Sequence, residues 1–227
     1  MTITKRRTHI KDEIYCEINF PQCPAFAGAE RLCIGFRAPV AMHVARQLDE
    51  VVGVLRALEA ASQRGHWCVG FIAHEAAAAF DAALVTQAVG DIPLVWFAEF
   101  STGETLPAID VTQGTFQLGR WQSDTSSDAF HTAVESIRAD IANGRFYQVN
   151  FTTRLHAHFS GDALAFYRAL EVAQPDGYHV YIDAGEFQLL SVSPELFFSM
   201  QAVGGQTTVI AQPMKGTAPR GDTAKLD

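Results

Sequence analysis

Three residues in this chain have types and settings suited to chemistry: Lys215, Glu195 and Gln148. Lys215 lies in the run Gln212-Pro213-Met214-Lys215-Gly216-Thr217-Ala218-Pro219-Arg220-Gly221. Pro213 fixes its own φ and Gly216 permits almost any backbone conformation, so the segment can aim a long amine at a target. A lone lysine is by default an exposed turn residue. To act as a nucleophile it needs an apolar or cationic setting that favours the neutral amine. Arg220 and Lys225 follow closely and would suit an anionic ligand. Glu195 sits between Pro194 and the apolar run Leu196-Phe197-Phe198. There it is either a solvent-facing strand residue, which spacing by itself favours, or a partly desolvated acid able to give up a proton near neutral pH. Gln148 belongs to a segment, 146–155, that alternates like a strand. Tyr147, Val149, Phe151 and Leu155 fall on one side; Gln148, Asn150, Thr152 and Arg154 fall on the other. Such a polar face commonly meets water, and the alternative is that it lines a polar pocket.

Two other patterns carry no chemistry. His74-Glu75 opens like a zinc-protease helix but lacks the second histidine at the required spacing. Ser193-Pro194-Glu195 has no surrounding glycines to form a nucleophile elbow.

The elements that must position these residues are best marked in the second half. Ser127 is placed to cap a helix whose stripe runs Phe130, Val134, Ile137 and Ile141, with Asn143-Gly144 ending it. Asp162 is placed to cap a second helix bearing Leu164, Phe166, Tyr167 and Leu170. Strand-like runs follow at 178–183, 187–193 and 195–201. Gly204-Gly205 then signals a hairpin that pairs Thr207 to Ala211 back. In the first half the pattern predicts a helix over 41–62, a strand over 67–73, a short alanine-rich helix over 76–84 and a strand over 94–100. Residues 1–40 read as irregular with short strands, and 101–118 as a connection or weak hairpin. The expected class is α+β, with antiparallel-rich sheets flanked by helices and no regular βαβ alternation. The expected division is an N-terminal subdomain over 1–120 and the first part of a catalytic domain over 121–227.

The chain has 227 residues and is 48% hydrophobic, enough for a buried core. A net charge of -8 argues against a general binder of nucleic acid or of anionic membranes. No secretory signal and no membrane-span-length apolar run is present, so a cytoplasmic protein is expected. Cys16, Cys23, Cys33 and Cys68 form no C-x-x-C pair and are read as reduced thiols, with a disulfide among the first three as the alternative.

Taken in order, three motifs resemble the chorismate-utilising enzymes: Gly144-Arg145-Phe146-Tyr147-Gln148-Val149-Asn150-Phe151-Thr152, Ser193-Pro194-Glu195-Leu196-Phe197, and Pro213-Met214-Lys215-Gly216-Thr217-Ala218-Pro219-Arg220-Gly221. That family includes anthranilate synthase, aminodeoxychorismate synthase, isochorismate synthase and salicylate synthase. The resemblance covers roughly residues 66–100 and 120–221, and implies a truncated part of the two-sheet chorismate-binding fold. Isochorismate and salicylate synthases carry a lysine base where Gln148 stands, and a glutamine cannot activate water. Anthranilate synthases typically carry alanine where Lys215 stands. The combination resembles component I of aminodeoxychorismate synthase, in particular forms fused to a C-terminal aminodeoxychorismate lyase. Gly70-Phe71-Ile72-Ala73-His74-Glu75-Ala76-Ala77, with Phe80-Asp81, is similar to the same subgroup. Ala211-Gln212 stands where the family often has Thr-Arg.

The resemblance implies amination of chorismate at C4 to 4-amino-4-deoxychorismate, towards 4-aminobenzoate and folate. Ammonia would come from a glutamine amidotransferase partner. Lys215 and Glu195 would be catalytic, as nucleophile and general acid; Gln148, Gly216 and Thr217 would contact substrate. Mg2+ is implied as cofactor, with its ligands expected beyond residue 227 and none within the chain, and residues 1–227 alone are expected to be inactive. Anthranilate synthase component I and a non-catalytic subunit-binding module are the two alternatives.

Overall fold

The computed structural model describes residues 2–5, 14–21, 31–106, 114–203 and 205–214. It divides into two compact units, one of residues 1–111 with 167–227, the other of residues 112–166.

In the larger unit the strands are β1 (Thr2–Lys5), β2 (Tyr15–Phe20), β3 (Leu32–Arg37), β4 (Ala41–Ala45), β5 (Trp67–Ile72), β6 (Val95–Phe100) and β7 (Glu104–Thr105). Helix α1 (Leu48–Gln63) lies between β4 and β5. In the smaller unit are β8 (Phe116–Leu118), β9 (Gln122–Ser123), helix α2 (Ser127–Ala142), β10 (Leu155–His156) and β11 (Phe159–Gly161). The unit boundary falls within helix α3 (Ala163–Ala173). The larger unit resumes with β12 (Tyr178–Asp183), β13 (Phe187–Ser193), β14 (Leu196–Val203) and β15 (Gln206–Gln212).

Six strands form one antiparallel sheet in the order β1-β13-β12-β2-β3-β7, and three form a second in the order β4-β6-β5. Alternation explains how they pack. Cys16 and Ile18 of β2, Phe36 of β3, Ile182 of β12 and Phe187 and Leu189 of β13 share one buried cluster with Val69 of β5 and Trp96, Ala98 and Phe100 of β6. These inward sets from the two sheets make a sandwich core. The intervening residues of β6 face the other way. Val95 joins Ala45, Val51, Leu58, Ala76 and Leu94 in a second cluster beneath α1. The central strand β6 is therefore covered on both faces, and its sequence VWFAEF is apolar apart from Glu99.

The α+β class with antiparallel sheets is the one the sequence predicts, and β12 to β15 lie where the pattern puts them. Several elements differ. The predicted helix over 41–62 is a strand followed by a helix, because residues 41–45 pair with β6 from Ala41↔Glu99 to Ala45↔Val95. Its apolar periodicity runs through both elements and conceals the break. The alanine-rich segment forms only a 3-10 helix over His74–Ala79; so short a piece has little helical stability of its own. The described residues of 1–40 hold three short strands, as the irregular stretch with short strands expected there allows. In β2, Cys16 and Ile18 are inward while Glu17 and Asn19 are buried on the opposite face, and these polar residues mask a fully covered strand. The cap of α2 is Ser126, whose side chain accepts from the amide of Ala129 at 3.2 Å.

Cys16, Cys33 and Cys68 are free thiols; Cys23 lies outside the described residues. Burial pushes the Cys16, Cys33 and Cys68 thiols up from their ordinary values, which suits inert packing rather than reactivity. No helix among the described residues is long and apolar enough to cross a membrane.

Candidate functional site

Glu195 sits in the two-residue link between β13 and β14. The Ser193 hydroxyl accepts from the Glu195 amide at 3.2 Å and donates to the Glu195 carbonyl at 3.1 Å. With Pro194 between them, this turn sets where the strand leaves the six-stranded sheet. The Glu195 side chain is exposed.

Strand β14 pairs only with β15 among the described residues. The register runs from Val203↔Gln206 at the turn back to Leu196↔Gln212. Glu195 therefore adjoins the first pair of the hairpin, and Pro213 follows directly after its last residue. Twenty positions of sequence separate Glu195 from Lys215, yet the pairing returns the chain to the same end of the hairpin. Gln212 is held there by Tyr178 of β12, whose hydroxyl donates to Gln212 Oε1 at 3.1 Å. Pro213 and Met214 are described; Lys215, Gly216 and Thr217 lie outside the described residues.

Gln148 belongs to the smaller unit. Helix α2 ends at Asn143 and Gly144, and Gly144 adopts a φ of 72° that favours glycine. Arg145 then folds back, its amide donating to the Asp140 carbonyl at 3.0 Å and its guanidinium to Asp140 Oδ1 at 3.1 Å. The strand expected over 146–155 is not formed along that length. Only Leu155–His156 pairs, with Gln122–Ser123. The rest is extended chain tethered at points: Phe151 against Phe130 with ring centroids 5.6 Å apart, Thr153 Oγ1 donating to Thr125 Oγ1 at 2.8 Å, and Asp124 N donating to Arg154 O at 3.0 Å. The physical reason is the lack of a pairing strand for 146–154 among the described residues, since alternation becomes a sheet only when both partners are present. Gln148, Asn150, Thr152 and Arg154 are all exposed.

Two buried polar clusters in the larger unit escape a reading by motif. In the first, Glu99 of β6 is 3% exposed and gathers three donors. His43 Nε2 of β4 lies 2.7 Å from one carboxylate oxygen; His66 Nδ1 lies 2.5 Å and Arg64 Nη2 2.9 Å from the other. The hydrogen bond from His43, then that from His66, outweigh burial and hold the carboxyl at about 2, below its ordinary value. In the second, Glu17 of β2 and Glu171 of α3 flank Arg168. Its guanidinium binds both oxygens of Glu17 and donates to Glu171 Oε2 at 2.7 Å. Asn19 donates to Glu171 Oε1 at 2.8 Å, and Tyr15 OH to Glu17 Oε2 at 2.9 Å. His179 Nε2 lies 2.7 Å from the Gln174 carbonyl, to which it must donate. Burial opposes the charge on Arg168, but the bonds to Glu17 and Glu171 hold its pKa above the ordinary value. The sequence signal for both clusters was the same: an acidic residue inside an otherwise apolar strand, Glu17 in YCEINF and Glu99 in VWFAEF.

Among the described residues no group of three or more His, Cys, Asp or Glu side chains is placed to hold a metal. The carboxylates of both clusters are already taken by Arg, His, Asn and Tyr donors and do not fit a magnesium ion, which demands open oxygen ligands.

Comparison with known proteins bears on the three-motif region. A family model described as chorismate binding enzyme matches residues 25–227. Anthranilate synthase component 1 of Thermus thermophilus is 36% identical over 108 residues, 48% of this chain and 22% of that protein. Aminodeoxychorismate synthase component 1 of Bacillus subtilis is 28% identical over 139 residues, 61% of this chain and 28% of that protein. Aminodeoxychorismate synthase component 1 of Klebsiella aerogenes is 32% identical over 107 residues, 47% of this chain and 23% of that protein. The chain thus spans roughly a quarter of the length of the curated relatives it matches. No solved structure matches significantly.

Proposed function

The chain belongs to the chorismate binding enzyme family, and from that premise we propose that it carries the nucleophile and general acid of an aminodeoxychorismate synthase component I. The observation that carries this reading is the register of the β14–β15 hairpin, which returns the chain, at Gln212, to the end where Glu195 sits. Two residue types select the branch. Gln148 has no basic group with which to activate water. Lys215 supplies an amine that can form a bond to carbon.

In this proposal Lys215 Nζ, as the neutral amine, adds to C2 of chorismate. The ring double bonds shift, and the C4 hydroxyl leaves as water with a proton given by Glu195. The proton lost from Lys215 passes to solvent. Ammonia then attacks C4 and gives up a proton to solvent, the double bonds shift back, and Lys215 Nζ takes a proton from solvent as it departs from C2 as the neutral amine. Splitting one displacement into two steps is covalent catalysis, and protonation turns hydroxide into a viable leaving group. Gly216 and Thr217 would let the backbone approach the substrate. A glutamine amidotransferase subunit would deliver the ammonia. Magnesium would require residues other than those described, and no step here runs through it.

The test uses the purified protein as it occurs in its own cell. Incubation with chorismate but no ammonia should add the mass of chorismate minus water, localised to Lys215 and lost in Lys215→Ala. With ammonium the product should be 4-amino-4-deoxychorismate. Turnover with no adduct would overturn the covalent role. A second reading, anthranilate synthase component I, is favoured by the 36% identity to a protein of that name. Fluorescent anthranilate with release of pyruvate would establish it instead.

A further inference from the structure

Tyr178 opens β12 at the foot of the β14–β15 hairpin, and the contacts around it form a closed ring. Its backbone stands opposite Ser193, the last residue of β13. The chain is tight at this point: a Cβ on Gly177 would come within 2.9 Å of the Ser193 carbonyl oxygen and 2.5 Å of His179 Nε2. Ser193 in turn holds Glu195, its hydroxyl accepting from the Glu195 amide and donating to the Glu195 carbonyl. Leu196, the next residue, pairs with Gln212. The ring closes where the Tyr178 hydroxyl donates to Gln212 Oε1 at 3.1 Å. Phe20 of β2 packs edge-on against the tyrosine ring, with centroids 5.8 Å apart, and so fixes where that hydroxyl points.

The mechanical consequence follows from what the hairpin lacks. Among the described residues β14 and β15 pair only with each other, so no backbone ladder from the six-stranded sheet fixes their direction. The Ser193 hydroxyl sets Glu195 relative to β13, but a two-residue link can still pivot. A contact to the far strand removes that freedom, because Gln212 and Leu196 are paired and move together.

We propose that Tyr178 is a positioning residue: by holding Gln212 it fixes the foot of the hairpin, and so the place from which Glu195 presents its carboxyl. The inference rests on the reading of Glu195 as general acid. A proton donor works only within hydrogen-bond reach of the leaving oxygen, and a small misplacement is costly in rate. Tyr178 touches no reacting atom in this scheme; it acts through the hairpin.

Two variants of the same purified protein test it. Tyr178→Phe deletes the hydroxyl and keeps the ring against Phe20; Gln212→Met deletes the acceptor at similar length. Each should lower kcat with chorismate and ammonium about three- to tenfold, the worth of one hydrogen bond, and leave the chorismate KM within about twofold. The double variant should be no slower than either single one, because both remove the same contact. Hydrogen exchange gives a readout that needs no catalysis. In Tyr178→Phe the amides of Glu195, Leu196 and Gln212 should exchange about three- to tenfold faster, while those of 187–190 keep their rates. Unchanged exchange at the hairpin foot, additive losses in the double variant, or a loss confined to KM would overturn the proposal. Full kcat in Glu195→Gln, beside faster exchange in Tyr178→Phe, would overturn the general-acid reading rather than the brace.

Discussion

Strands β13 and β14 are consecutive, separated by two residues, and β14 is the more apolar in sequence, yet β13 is the one that is buried. Phe187, Leu189 and Leu190 of β13 are 2–3% exposed, between β1 and β12. Phe197, Phe198 and Met200 of β14 are more than half exposed. Both strands satisfy local rules of composition and alternation. What separates them is the number of neighbours each finds, and the Ser193-Pro194-Glu195 turn is where the change occurs. The buried part of the larger unit thus runs up to the turn, and the proposed chemistry begins at it. That division suits a site whose residues must be aimed by a scaffold while remaining accessible to a ligand.

The contrast can be broken most severely at the polar face of the six-stranded sheet. Arg168→Met should leave Glu17 and Glu171 buried without their shared cation and cost about 3–5 kcal/mol, read from urea unfolding. A loss under 1 kcal/mol would mean that water or relaxation readily replaces the guanidinium. Next, on β13 itself, Leu189→Ala should cost about 2–5 kcal/mol through lost burial and a residual cavity.

Acid should act next most strongly, on the smaller sheet. Glu99 is held at about 2 against an ordinary 4.5. Its folded value is depressed, so the stability it contributes is present above pH 4.5 and is lost as pH falls from 4.5 towards 2. Thermal midpoints of the unaltered chain should therefore fall more steeply over that window than those of Glu99→Gln. Parallel curves would show that the His43, His66 and Arg64 contacts do not persist in solution. The smallest effect is expected on β14–β15. Val209→Thr should change stability by no more than about 0.5 kcal/mol, as for surface positions generally. A cost similar to that of Leu189→Ala would erase the distinction between the two strands.

Much of this organisation was legible in the sequence, and the misses share a cause. The capped helices, the strands from 178 onward and the Gly204-Gly205 hairpin rest on local signals, namely period, cap and turn, that need no partner to be read. Strand β4 was hidden because Val44 continues the apolar spacing of α1, and only its pairing with β6 shows that it is extended. The segment 146–154 failed in the opposite sense: its alternation is clear, but no described strand pairs with it. Gln148, Glu195 and Lys215 were singled out from motif order, while the return of the chain at Gln212 to the end of the hairpin beside Glu195 had to come from the hairpin register.

By itself the sequence determined the secondary elements with local signatures, the antiparallel class, the family motifs and the residue types on which a choice between chorismate reactions would turn. These follow from short-range preferences and side-chain chemistry, which a linear string carries in full. Tertiary structure alone decided which strand is buried and which stands open. It also turned Glu17 and Glu99 from anomalies in apolar strands into members of buried polar clusters. Burial and ion pairing depend on which distant segments meet, and Glu17 with Arg168, 151 positions apart, is a pairing that no local pattern encodes.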